Sequence, residues 1–150
     1  SLTRQNLDSI RNKYSKSNKC SLGAYEVLRT NKKIKLTILA SGSEVNLAIE
    51  TSHKLAKDKI YSKVISVPCM ELFDLQSNVY KDKILNETKI NISIEAGSID
   101  CWKKYTGDNG MNFGIDVFGK SAPYKEIYKH FGLIPSNIVD KSKKLVKNYK

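Results

Sequence analysis

The chain is predicted to be an α/β protein, with a mostly parallel sheet, helices on both faces and one antiparallel strand at an edge. Three observations predict this. Strand-like and helix-like stretches alternate along most of the sequence, the pattern of a parallel sheet covered by helices. Residues 33–57 read as a strand running directly into a helix, the opening of a βαβ unit. A strand at residues 24–28 is separated from the next by only a short turn at 30–33, too short for a parallel crossover.

The length of 150 residues, 40% of them hydrophobic, suits one domain that buries its own core. The chain starts at Ser1 without a methionine or a charged-then-apolar leader, so it is expected to be a piece of a longer chain or a processed product. No apolar run approaches the roughly 18 residues a membrane helix needs. No membrane partner is therefore expected. Cys20, Cys69 and Cys101 are odd in number and far apart in sequence, which speaks for a reducing compartment, here the cytoplasm, and against a disulfide framework.

The elements follow in order. Residues 1–19 are polar and read as a tail plus linker, outside the compact core. Ala24, Tyr25, Glu26, Val27 and Leu28 form the first, edge strand. Ile34, Leu36 and Ile38 then alternate along the second strand, which closes with Leu39 and Ala40. Ser41 and Glu44 are spaced as a capping box, with Gly42 allowing the turn. The helix that follows places Val45, Ala48, Ile49, Leu55 and Ala56 inward and pairs Glu50 with Lys54. A third strand covers 62–67 and stops at Pro68. Short helices are expected at 71–74 and 78–85, a strand at 89–95, a helical turn at 101–105 and a last strand at 112–117. Two helices close the chain. The first starts around Pro123, buries Tyr124, Ile127, Tyr128 and Phe131, and ends at Gly132. The second is capped by Ser136, runs over 137–148 and turns Ile138, Val139, Leu145, Val146 and Tyr149 inward.

The net charge of +11 raises nucleic-acid binding, but the residue types argue against it. Only Arg4, Arg11 and Arg29 are arginine, whereas base reading and phosphate forking favour that side chain. The lysines are scattered, and the densest run, 141–150, falls on an amphipathic helix whose basic side reads as a solvated face. No nucleic-acid partner is expected. His53 and His130 lie on helices without a nearby acid or nucleophile, and no metal-ligand spacing occurs.

Open α/β sheets bind ligands beyond the carboxyl ends of their strands. Three such ends are marked by small residues: 41–44, 95–98 and 118–121. The Gly-x-Gly-x-x-Gly fingerprint is absent, which argues against a dinucleotide, and tight turns are the simpler reading. Glu44 and Glu95 suggest a carboxylate pair, but Glu44 is assigned to the cap. Glu95, an acid at a strand end, is the better functional candidate, yet no partner for acid–base work is assignable beside it. Cys101, next to Trp102, reads as a buried small residue rather than a nucleophile.

Several strings carry a resemblance. In order they are Leu2-Thr3-Arg4-Gln5-Asn6-Leu7, Gly23-Ala24-Tyr25-Glu26-Val27-Leu28, Ala40-Ser41-Gly42-Ser43-Glu44-Val45, Glu71-Leu72-Phe73-Asp74, Glu95-Ala96-Gly97-Ser98, Lys104-Tyr105, Phe113-Gly114-Ile115-Asp116, Phe118-Gly119-Lys120-Ser121-Ala122-Pro123 and Phe131-Gly132. Their order and spacing resemble the C-terminal part of transketolase over nearly the whole chain. Asp8, Cys101 and Lys120 depart from the usual proline, glycine and alanine. The resemblance implies a three-layer α/β/α sandwich with a five-stranded mixed sheet, four strands parallel and one antiparallel at the edge. It implies that residues 1–19 are the tail of a preceding pyrimidine-binding domain plus linker, and that 20–150 are the C-terminal domain. For the full-length enzyme it implies a homodimer that uses thiamine diphosphate and a divalent metal (Mg or Ca) to move a two-carbon ketol unit between sugar phosphates of the pentose phosphate pathway. The domain's own role would be structural support, dimer contact or a regulatory site. It implies one substrate-binding residue, Arg4, clamping the sugar phosphate, with no catalytic, cofactor or metal ligand in this chain. The isolated chain is expected to be inactive. The related thiamine enzymes 1-deoxyxylulose-5-phosphate synthase and the 2-oxoacid dehydrogenase beta subunit, and a stand-alone anion-binding module, are the alternatives.

Overall fold

The computed structural model describes residues 5–10 and 14–149. Five strands form one sheet in the order β1-β3-β2-β4-β5. They are β1 (Tyr25–Arg29), β2 (Leu36–Ala40), β3 (Ser62–Ser66), β4 (Asn91–Ile94) and β5 (Met111–Phe113). Strands β2, β3, β4 and β5 are parallel, and β1 runs antiparallel to β3 at the edge. The predicted fold class and the edge position of the first strand are observed. Its neighbour differs from the short-turn reading: β1 pairs with β3, and the chain steps across the place of β3 to enter β2. The Thr30 amide, at the end of this step, donates to the Ser62 carbonyl (3.0 Å), so the linking segment is itself tied to β3.

Helices α1 (Glu44–Lys57), α5 (Tyr124–His130) and α6 (Pro135–Asn148) accompany one core, and α2 (Met70–Asp74), α3 (Asn78–Leu85) and α4 (Lys103–Thr106) the other. Period-two alternation divides the strands between these cores. Leu36, Ile38, Ala40, Val64, Ile92 and Ile94 meet Val45, Ala48, Leu55, Ile138 and Val139 on one side. Leu39 and Ile65 meet Phe73, Ile84, Trp102 and Tyr105 on the other.

The second face is half polar, and its polar groups are partnered. Thr37 and Thr88 share a hydroxyl hydrogen bond (3.0 Å), Ser93 Oγ donates to Asn112 Oδ1 (2.7 Å), and Asn91 Nδ2 donates to the Tyr105 carbonyl (3.1 Å). Lys63 is 1% exposed. Its Nζ donates to the Lys83 carbonyl (2.9 Å) and to Glu87 Oε2 (3.0 Å). Glu87 also takes two hydrogen bonds from Arg29, at 2.6 and 2.8 Å, and so ties the edge strand to the end of α3.

Local corrections have physical causes. The last strand ends at Phe113 because the chain then turns toward the loop after β4. The Ile115 amide donates to the Gly97 carbonyl (2.8 Å), and Asp116 Oδ1 accepts from the Ile99 amide (3.1 Å). Ser136 does not cap α6; Ile134 precedes it, Pro135 takes the first turn, and Asn137 Nδ2 instead satisfies the Gly132 carbonyl (2.8 Å). Tyr149 lies past the helix end and is exposed. No residue of α5 is fully buried, because the helix lies over the rim of a cleft. Gly23 is a required glycine. It sits at φ +76°, and a Cβ there would come within 2.1 Å of the Phe73 amide nitrogen.

Candidate functional site

Parallel strands with crossover helices bring all the βα turns to one end of the sheet. Ala40 and Ile94 are register partners on adjacent strands, so Ser41 and Glu95 are the first residues past two neighbouring strand ends. Ser41 Oγ donates to Glu95 Oε2 (2.7 Å). Ser43 Oγ donates to Glu44 Oε1 (2.7 Å), and the Tyr128 hydroxyl of α5 donates to the same oxygen. Gln5 Nε2 in turn donates to the Tyr128 hydroxyl (3.3 Å). These groups line a cleft of about 500 Å³, together with Leu7, Gly42, Ala96, Tyr124 and Ile127.

The predicted capping box is therefore replaced. Ser43, not Ser41, precedes α1, and its side chain makes no capping bond. Ser41 is drawn away to Glu95 and Glu44 to Tyr128, because each finds a charge-assisted hydrogen bond across the cleft. The two acids, weighed in the sequence as a carboxylate pair, are neighbours. Burial, and then the Glu44 charge, push the Glu95 carboxyl above the usual carboxylate range. Burial, then Glu44, push the Tyr128 hydroxyl up to about 12.

The structure separates the remaining candidates. The 118–121 loop extends from the sheet, with Phe118 98% exposed. His53 and His130 are exposed. Cys20, Cys69 and Cys101 are free thiols, and Cys101, expected to be buried, is exposed because Trp102 beside it takes the inward position. Arg4 lies outside the described residues. Among the described residues no group of three His, Cys, Asp or Glu side chains could hold a metal ion. Among them, too, no helix is long and apolar enough to cross a membrane. An anion at the 41–44 turn would face Glu44 and Glu95, which disfavours the anion-binding alternative. Sequence reasoning missed the roles of Tyr128 and Ser41. Tyr128 carries no local signal, being 84 residues from Glu44. Ser41 could have been found by aligning the two strand ends.

The sheet order, the antiparallel edge and the cleft at the carboxyl ends define an open three-layer α/β domain whose distinctive chemistry lies at one edge. A family model described as the transketolase-like TK C-terminal domain matches residues 23–134, and the chain belongs to that family. Transketolase from Bacillus subtilis is 42% identical over 149 residues, covering 97% of this chain and 22% of the relative. A solved structure of transketolase from Leishmania mexicana superposes with a TM-score of 0.78 at 35% identity, over 86% of this chain and 18% of that one. Pichia stipitis transketolase in complex with sedoheptulose-7-phosphate gives 0.79 at 34% identity, over 87% and 19%. The chain is a transketolase C-terminal domain and spans about a fifth of the length of the relatives it matches.

Proposed function

We propose that the longer protein containing this chain is a transketolase that moves a two-carbon ketol unit from a ketose phosphate to an aldose phosphate, as a cytoplasmic homodimer. The observation that carries this reading is the family match over residues 23–134, with relatives aligned across nearly the whole chain. The sugar phosphate bound to the Pichia stipitis relative supports the substrate class. Thiamine diphosphate supplies the carbanion chemistry of such a transfer. On the transketolase reading the cofactor and its divalent metal belong to the other domains of the longer protein. On the same reading residues 1–19 are the tail of the pyrimidine-binding domain plus linker, and 20–150 are the C-terminal domain.

Arg4 is the one residue assigned to substrate. A guanidinium fork gives two charge-assisted hydrogen bonds to a phosphate, and holding that end aligns the reacting carbonyl. The test is a ketol-transfer assay of the full-length protein with thiamine diphosphate, Mg²⁺, a ketose phosphate and an aldose phosphate. Transfer is expected, and its absence overturns the reading. Arg4→Ala should raise KM for the phosphorylated donor by about tenfold or more, while leaving an unphosphorylated ketose little changed. The isolated chain should show no transfer.

A further inference from the structure

The cleft at the carboxyl edge is lined in part by the segment that leads into the domain. Gln5 and Leu7 belong to its wall, although residues 5–10 precede the first strand and read as tail and linker. Asn6–Ile10 are exposed, and Gln5 is the half-buried residue of this stretch. Hydrogen bonds to two different helices fasten the segment. Gln5 Nε2 donates to the Tyr128 hydroxyl of α5 (3.3 Å), and Asn46 Nδ2 of α1 donates to the Asp8 carbonyl (3.5 Å).

The Tyr128 anchor is itself held. Its hydroxyl hydrogen is committed to Glu44 Oε1, which also accepts from Ser43 Oγ (2.7 Å). Glu44 is 3% exposed and makes no ion pair among the described residues, so these hydroxyls stabilise its charge. A hydroxyl that donates to a carboxylate is a stronger acceptor on its own oxygen, and that oxygen takes the Gln5 amide. The chain of hydrogen bonds therefore runs from the start of α1, through α5, to Gln5. Arg4, the residue assigned to the sugar phosphate, directly precedes Gln5 in the sequence.

We propose that Tyr128, backed by Glu44, is a positioning residue for ketol transfer: it anchors Gln5 and thereby fixes the backbone from which Arg4 meets the substrate phosphate. A guanidinium fork aligns its hydrogen bonds best when its base is held, because ordering a loose segment at each binding event costs entropy. The inference rests on the ketol-transfer reading and on the Arg4 assignment. It gives the domain a part in substrate binding through residues that do not touch the substrate.

Steady-state kinetics of the longer protein, with thiamine diphosphate and Mg²⁺, test this with a phosphorylated and an unphosphorylated ketose. Tyr128→Phe keeps the ring that packs edge to face on Tyr124 and removes only the hydroxyl. It should raise KM for the phosphorylated donor about threefold to tenfold, with kcat within about twofold and KM for the unphosphorylated ketose little changed. Gln5→Ala should do the same, and the two together should do no more than either alone, since both remove one hydrogen bond. Gln5→Ala also leaves the Tyr128–Glu44 pair intact, so it reads the anchor if Tyr128→Phe fails to fold. In the Arg4→Ala protein, Tyr128→Phe should add nothing. An equal KM rise for both donors, as lost packing would give, overturns the proposal. So does an unchanged KM in Gln5→Ala, or a full Tyr128→Phe effect on top of Arg4→Ala. If the wild-type protein transfers no ketol unit, or Arg4→Ala spares the phosphorylated donor, the underlying reading and the proposal fall together. With the Arg4 effect present, the failure belongs to the anchor alone.

Discussion

At the residue scale, the buried Lys63 and its partner Glu87 show how a charge is tolerated inside a small sheet. The Arg29 hydrogen bonds, and then Lys63, hold the Glu87 carboxyl down to about 2. A carboxyl whose folded pKa is depressed stabilises the fold above its ordinary range, and that contribution is lost as pH falls toward the depressed value. The protein should therefore lose stability between the ordinary carboxylate range and about pH 2. Glu87→Gln should cost about 2 kcal/mol at neutral pH, below the figure for a fully buried pair because Glu87 is partly exposed. Denaturant melts of both proteins from pH 7 to pH 2 check this, and the gap should close at the acid end. Glu95 behaves in the opposite sense. Its folded pKa is raised, so it weakens the fold as pH climbs through and above the ordinary carboxylate range. Glu95→Gln should raise Tm at pH 7 and leave it nearly unchanged at pH 4, as scanning calorimetry at the two values would show.

At the scale of elements, the strands and helices were legible wherever burial followed a single period. Leu36, Ile38, Val64, Ile92 and Ile94 mark strands that face one apolar core, and α1 and α3 run where the pattern places them. What the pattern hid lies on the other face. Thr37, Lys63 and Ser93 alternate with apolar residues as a solvent-facing strand would, yet α2, α3 and α4 cover them. Their partners, Thr88, Glu87 and Asn112, lie 19 to 51 residues away, and no local window can join them. The acidic cleft was half legible. Glu44 and Glu95 were visible as candidates, but their meeting depends on strand order, and Tyr128 reaches it only because α5 folds over the rim. Gly23 links the edge strand to α2 by close backbone approach. Gly23→Ala meets both the positive φ and a 2.1 Å clash with backbone, and should destabilise by about 3 kcal/mol or more. Urea unfolding would measure the loss, and a change below 1 kcal/mol (a small ΔΔG on the usual scale) would contradict this packing.

For the whole molecule, the excess of 26 basic over 15 acidic side chains sets the response to salt. Self-repulsion of +11 charges is spread over the surface and is screened within a Debye length of about 10 Å at 0.1 M salt. The ion pairs that salt would weaken, such as Glu50–Lys54 and Asp100–Lys103, are exposed and contribute little. Thermal melts should therefore shift upward when NaCl is raised from low concentration to about 0.15 M. A downward shift would mean that local pairs outweigh the global charge.

The place of β3 has a consequence for how the chain is made. Strands β1 and β2 leave the ribosome before β3, yet they are not sheet neighbours; the slot between them belongs to a strand that emerges after the whole of α1. A nascent chain that ends at Lys57 holds two outer rails without the middle one, and no ladder of the finished sheet joins them. The sheet closes only when residues 62–66 are threaded into place, pairing with β1 on one side and β2 on the other. Synthesis thus withholds the keystone until nearly half of this domain has been translated, and a stall before that point leaves two bare strand edges exposed to other chains.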